Sequence, residues 1–98
     1  MLKINFLIFV ERDSIGYYAY VPALKGIHVP GDSEEEAVKN AEDGIFLYME
    51  SILERGDPLS IGSGERTDAV GKAHVRTLYL KTHHFKSSFE LQWDSQSL

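Results

Sequence analysis

Cysteine is absent from the 98 residues. Its absence excludes a disulfide framework, a thiol nucleophile and a cysteine-ligated zinc site. Long apolar runs are missing too. The opening stretch from Leu2 to Val10 is cut off by Glu11-Arg12-Asp13, well short of the ~20 residues a membrane span needs, and it carries no small-residue cleavage site. It reads as a buried strand, so a soluble, cytoplasmic protein without membrane attachment is expected. Positive charge is scarce: 10 Lys and Arg stand against 15 Asp and Glu, for a net charge of −5. The imbalance lies in residues 1–71, with 13 acidic against 6 basic side chains, whereas residues 72–98 hold 2 against 4. An acidic body disfavours nonspecific binding to a phosphate backbone and suits a basic protein partner. There is no internal repeat and no low-complexity tract. The length is that of one domain, expected over residues 1–94 with a frayed tail at 95–98.

What remains is strongly patterned. Leu2 to Val10 is rich in β-branched and aromatic residues, with Ile4, Phe6, Ile8 and Val10 on one face and Leu7 and Phe9 on the other. Asp13-Ser14-Ile15-Gly16 predicts a turn. Tyr17 to Val21 then returns as an antiparallel strand, ended by Pro22, which lacks a backbone donor. A short third strand fits Ile27 to Val29. Ser33 followed by Glu36 is a capping box, and Glu34, Glu35 and Glu36 complement the positive end of a helix dipole. Val38, Ala41, Ile45, Tyr48 and Ile52 predict the apolar stripe of that helix, with Phe46, Met49 and Leu53 as a second stripe beside it. Arg55, Gly56 and Pro58 predict its end. Ser60 to Gly71 reads as a turn-rich loop. Ala73 to Lys81 and Ser88 to Trp93 alternate as strands and predict a second hairpin through Thr82–Ser87, with Phe89, Leu91 and Trp93 sharing a face. The order β-β-β-α-β-β is of the α+β class: an antiparallel sheet with one long helix packed on it.

The acidic turn Glu11-Arg12-Asp13, then Gly16-Tyr17, Pro22-Ala23-Leu24-Lys25-Gly26, Gly31-Asp32-Ser33, Glu36-Ala37 and Ile45-Phe46-Leu47-Tyr48, resemble the pattern of the HicB antitoxin family over roughly residues 4–58. The resemblance implies a partial RNase H-like fold, β-β-β-α-β, without nuclease activity, here with an extra C-terminal strand. It also implies a partner, a small basic RNA-cleaving HicA-like toxin whose catalytic histidine and RNA surface the antitoxin covers. Many members add a C-terminal ribbon-helix-helix or helix-turn-helix domain that binds promoter DNA. The 27 residues after Gly71 alternate like strands and show no helical caps, so no direct DNA binding is expected. Lys25 stands where the family often has proline, and His28 where a small residue is common.

Other chemistries find thin support. RNase H-type cleavage needs carboxylates gathered on strand ends around metal ions. Glu11, Asp13 and Asp32 are the candidates, yet a solvated hairpin and a helix start account for them, so no catalytic residue is assigned. His83-His84, with His28 and His74, suggests a metal site, but adjacent strand residues point apart. No metal or other cofactor is expected. Ser60 to Gly64 lacks the Gly-Lys-Ser/Thr of a phosphate-binding loop. Tyr18 and Tyr20 project opposite to Tyr17, so one set packs under the helix and the other faces outward, where tyrosine suits a protein interface. Glu11, Asp13, Tyr17, Tyr18 and Tyr20 are the candidate residues for binding a toxin. The alternative reading is a stand-alone homo-oligomeric HicB-like module with no toxin, using Leu7, Phe9, Phe89, Leu91 and Trp93 between subunits, because an open sheet edge invites pairing.

Overall fold

The structure, a computed structural model, describes residues 2–24, 26–57, 72–83 and 88–94. Strands β1 (Leu2–Arg12), β2 (Tyr17–Tyr20) and β3 (His28–Gly31) precede helix α1 (Glu34–Arg55), which is followed by β4 (Lys72–His83) and β5 (Ser88–Trp93). Every ladder is antiparallel and the sheet order is β3-β2-β1-β4-β5. The α+β class, the single long helix and the β-β-β-α-β order with an added strand are those the sequence pattern predicts. Lys25, Pro58, the Ser60–Gly71 loop, His84 with the rest of the second turn, and the tail from residue 95 lie outside the described residues.

The first hairpin is set by its turn. The Asp13 amide donates to the Gly16 carbonyl at 2.8 Å, and Asp13 Oδ1 accepts from the amides of Ile15 and Gly16 at 2.8 and 2.9 Å. The two amides, that of Gly16 foremost, hold the Asp13 carboxyl below the usual aspartate range. The turn fixes the register from Phe9 opposite Tyr20 to Arg12 opposite Tyr17. With a side-chain period of two, that register sends Phe6, Ile8 and Val10 under the helix and Leu7, Phe9 and Glu11 to the other face.

The helix ends as its sequence dictates. Ser33 Oγ accepts from the Glu36 amide at 3.1 Å, and Glu36 Oε1 accepts from the Asp32 amide at 2.8 Å. At the other end Gly56 takes a left-handed conformation (φ 71°), its amide donating to Leu53 and that of Asp57 to Ile52, a Schellman motif. The buried stripe is Ala37, Val38, Ala41, Ile45, Met49 and Ile52. This corrects the expected stripe at one position: Met49 is fully buried and Tyr48 is 36% exposed. Leu78 is buried in the same core, and Leu91 and Trp93 of β5 pack against it.

Two kinds of attachment hold α1 to the sheet. Against β3 the contact is backbone to backbone. A Cβ added at Gly31 would lie 2.4 Å from the Ala37 nitrogen, and Asn40 Nδ2 donates to the Pro30 carbonyl at 2.9 Å. Against β4 the links are ionic. Glu34 Oε2 meets His74 Nε2 at 2.8 Å and Lys72 Nζ at 3.5 Å, and Glu42 Oε2 meets Arg76 Nε at 3.1 Å. The hydrogen bond from His74, with Lys72 adding its charge, outweighs partial burial and holds the Glu34 carboxyl below the ordinary glutamate range.

Candidate functional site

The sheet face turned away from α1 carries a connected aromatic cluster. Phe9 stacks on Tyr20 with ring centroids 5.6 Å apart, Tyr18 lies 6.4 Å from Tyr20, and His28 packs 4.7 Å from Tyr18. The β2–β3 register makes this possible, since Tyr20 stands opposite both Phe9 and His28. Leu7 and Val75 continue the apolar surface as a cross-strand pair, 37% and 58% exposed. Tyr20 is buried within the cluster at 8% exposure. It therefore shapes the surface, while Tyr18, Phe9 and His28 present it.

Carboxylates rim one end of this face. Glu11 stands directly opposite Tyr18. Partial enclosure raises the Tyr18 phenol above its ordinary pKa, and the Glu11 carboxylate raises it further, both as a neighbouring negative charge and as the acceptor of the hydroxyl proton. Around the sheet edge, a cleft of about 660 Å³ is lined by Asp13, Tyr17, Tyr18, His28, Asp32 and Glu36 among others, with no Lys or Arg among the described residues. It joins the turn after β1 to the start of α1. Three carboxylates beside aromatic rings give a site that attracts a cationic side chain and offers it a π-face.

The five partner-binding candidates therefore divide. Glu11, Tyr18 and Tyr20 share the uncovered face, and Asp13 lies in the turn beside it. Tyr17 goes to the helix side, packed against the core with the Arg12 guanidinium 5.5 Å from its ring centre, while its edge still reaches the cleft. The five subunit-interface candidates divide as well. Leu7 and Phe9 lie on the uncovered face, whereas Leu91 and Trp93 pack against the core on the helix side, with Trp93 edge-on to Phe6 at 6.3 Å. Phe89 shares their face by alternation.

Sequence reasoning missed two features. It gave His28 no part in the aromatic surface, because a short strand after a Gly-containing loop carries no register signal of its own. It also left the basic residues of β4 without partners, although Lys72, His74 and Arg76 alternate on one face as the acidic helix requires. His83 bonds Glu90 at 2.8 Å. Among the described residues no three His, Asp or Glu side chains converge as a metal site, and no helix is long and apolar enough to cross a membrane.

The chain is similar to several known proteins. A UPF0150 protein of Synechocystis is 39% identical over 56 residues, which cover 56% of this chain and 71% of that protein. A UPF0150 protein of Helicobacter pylori is 48% identical over 40 residues, 41% of this chain and 56% of the relative. One from Thermoplasma acidophilum is 29% identical over 62 residues, 62% of this chain and 90% of the relative. No solved structure matches the chain. The family model for the HicB_like antitoxin of bacterial toxin-antitoxin systems matches residues 6–72, from the middle of β1 through α1 to the first residue of β4, and the chain belongs to that family.

Proposed function

We propose that this protein neutralises a small basic RNA-cleaving toxin of the HicA type, holding it on the uncovered face of β2, β1 and β4, and that it has no enzymatic activity of its own. One observation carries the reading. The face opposite α1 has a half-buried aromatic and aliphatic centre bordered by Glu11, Asp13 and Asp32, in a chain of net charge −5. An apolar centre with a charged rim is the usual anatomy of a protein interface, and the sign of the rim suits a cationic partner. Tyr18 stands at the junction of face and cleft, where a large amphipathic side chain contributes most. Promoter DNA is not part of this reading. Helix α1 carries Glu34, Glu35, Glu36, Glu42, Asp43, Glu50 and Glu54 against Lys39 and Arg55, a balance that repels a phosphate backbone.

The test is capture of a purified HicA-type toxin from the same genome by the full chain, followed by calorimetry. Glu11→Lys and Tyr18→Ala are each expected to weaken binding at least tenfold, about 1.4 kcal/mol. Asp13 requires a gentler variant, because its carboxylate holds the turn. Asp13→Asn keeps an oxygen for the two amides and removes the charge, and is expected to slow association more than it speeds dissociation. Unchanged affinity in all three variants would sink the proposal.

A further inference from the structure

The sheet has two outer strands, β3 and β5, and the ladder pattern fixes which backbone groups each turns outward. In an antiparallel ladder, residues alternate between those whose amide and carbonyl face the neighbouring strand and those whose groups face away. The Asp94 amide donates to the Thr77 carbonyl at 2.8 Å, so that pair faces inward. Counting back along the register, Gln92 with Tyr79 and Glu90 with Lys81 face inward as well. The amides and carbonyls of Phe89, Leu91 and Trp93 therefore point away from the sheet, and among the described residues no strand meets them. The hairpin also runs past the sheet: the pairs Lys81–Glu90, Thr82–Phe89 and His83–Ser88 lie beyond Leu2, the residue of β1 that faces Leu80.

We propose that the β5 edge pairs with the β5 edge of a second copy, antiparallel about a twofold axis at Leu91, making one continuous sheet through the dimer. The sequence of β5 is self-complementary in this register and in no adjacent one of the same parity. With Leu91 on the axis, the outward groups of Phe89 meet those of Trp93 of the second copy, and Leu91 meets itself. All three side chains stand on the helix side, so each apolar residue finds an apolar neighbour. On the other face Glu90 stands beside Gln92 of the second copy, a carboxylate facing an amide donor, and Ser88 stands beside Asp94. No like charges oppose one another. An axis at Phe89 would set Glu90 against Ser88 and leave Trp93 unpaired. An axis at Trp93 would leave Phe89 without a partner and set Gln92 against Asp94. A twofold contact of this kind closes on itself, leaving no further edge at β5 to propagate a fibre. The interface is separate from the toxin-binding reading, whose surface is the uncovered sheet face, whereas this contact runs along the outer edge of β5.

The experiment is sedimentation analysis of the full chain with two variants. The native protein is expected at twice the 11.1 kDa of one chain. Gln92→Glu changes an exposed side chain and sets two pairs of carboxylates across the axis, so it should weaken the dimer about tenfold while leaving the circular dichroism unchanged. Leu91→Cys places the chain's sole thiol on the axis. Its Cα lies about 5.5 Å from its symmetry mate in a paired position, inside the range a disulfide spans. Mild oxidation should therefore link the dimer, whereas Glu54→Cys on the exposed helix should give no such link. A monomer at every concentration overturns the proposal. So does a dimer indifferent to Gln92→Glu that Leu91→Cys fails to cross-link. Where the two variants disagree, the cross-link decides.

Discussion

At the β3 edge the chain offers almost nothing to a further strand, whereas at the β5 edge three successive outward positions are open among the described residues. The β2–β3 ladder follows the same alternation: the Val21 amide donates to Ile27, so in β3 the outward groups belong to His28 and Pro30. Pro30 has no amide hydrogen, and its carbonyl is taken by Asn40. The difference follows from distance along the chain. Two residues, Asp32 and Ser33, separate β3 from α1, so the helix is delivered onto that edge and can seal it with backbone contacts. No such short connection ties α1 to β4, and there the helix is held by the Glu34 and Glu42 ion pairs. A close backbone fit tolerates little change, while an ionic link between partly exposed groups tolerates much.

Three single substitutions and one double variant test that difference, from the largest expected effect down. Gly31→Ala drives a methyl group into the backbone of Ala37, where no flexible side chain can yield. Urea denaturation should show a loss of about 3 kcal/mol or more. Less severe is Asn40→Ala, which releases the Pro30 carbonyl and should cost about 1 kcal/mol. Combined with Pro30→Val, it restores an outward donor and acceptor to β3, and light scattering should then detect concentration-dependent association through an edge the native protein keeps closed. Glu34→Gln should have the smallest effect. Because the folded carboxyl sits below the ordinary glutamate range, its contribution is present above that range and is lost as pH falls through the folded value. Thermal melts should separate the variant from the native protein at pH 7 and bring the two together in acid. A gap that persists at low pH would mean the ion pair is not its origin.

Much of this was legible in the residues, for identifiable reasons. Ser33, Glu36 and Gly56 mark the helix because capping acts over four or five residues, and a local rule needs no tertiary information. The Asp13 turn and the alternation of β1 assign each side chain to a face for the same reason. The choice between Tyr48 and Met49 was not legible, since both stand near the centre of the apolar stripe. The packed structure settles it: Met49 joins the buried core and Tyr48 stays at the surface. Of the candidate surface, Glu11 and Tyr18 could be named from the hairpin register. His28 could not, because its place beside Tyr18 depends on how β3 pairs.

By itself, then, the sequence determined what is local: the strands, the first hairpin, both ends of the helix, the acidic balance, and the motifs that carry the family resemblance. Only the tertiary structure decided that β4 lies beside β1 and leaves β5 at the margin. It also decided which edge is sealed, and that Phe9, Tyr18, Tyr20 and His28 form one cluster while Tyr17 faces the core. The reason is physical. Turns and caps are fixed by hydrogen bonds between residues a few positions apart, whereas strand order is set by pairing across tens of residues. Many pairings satisfy the same alternation, and only the shared core selects one.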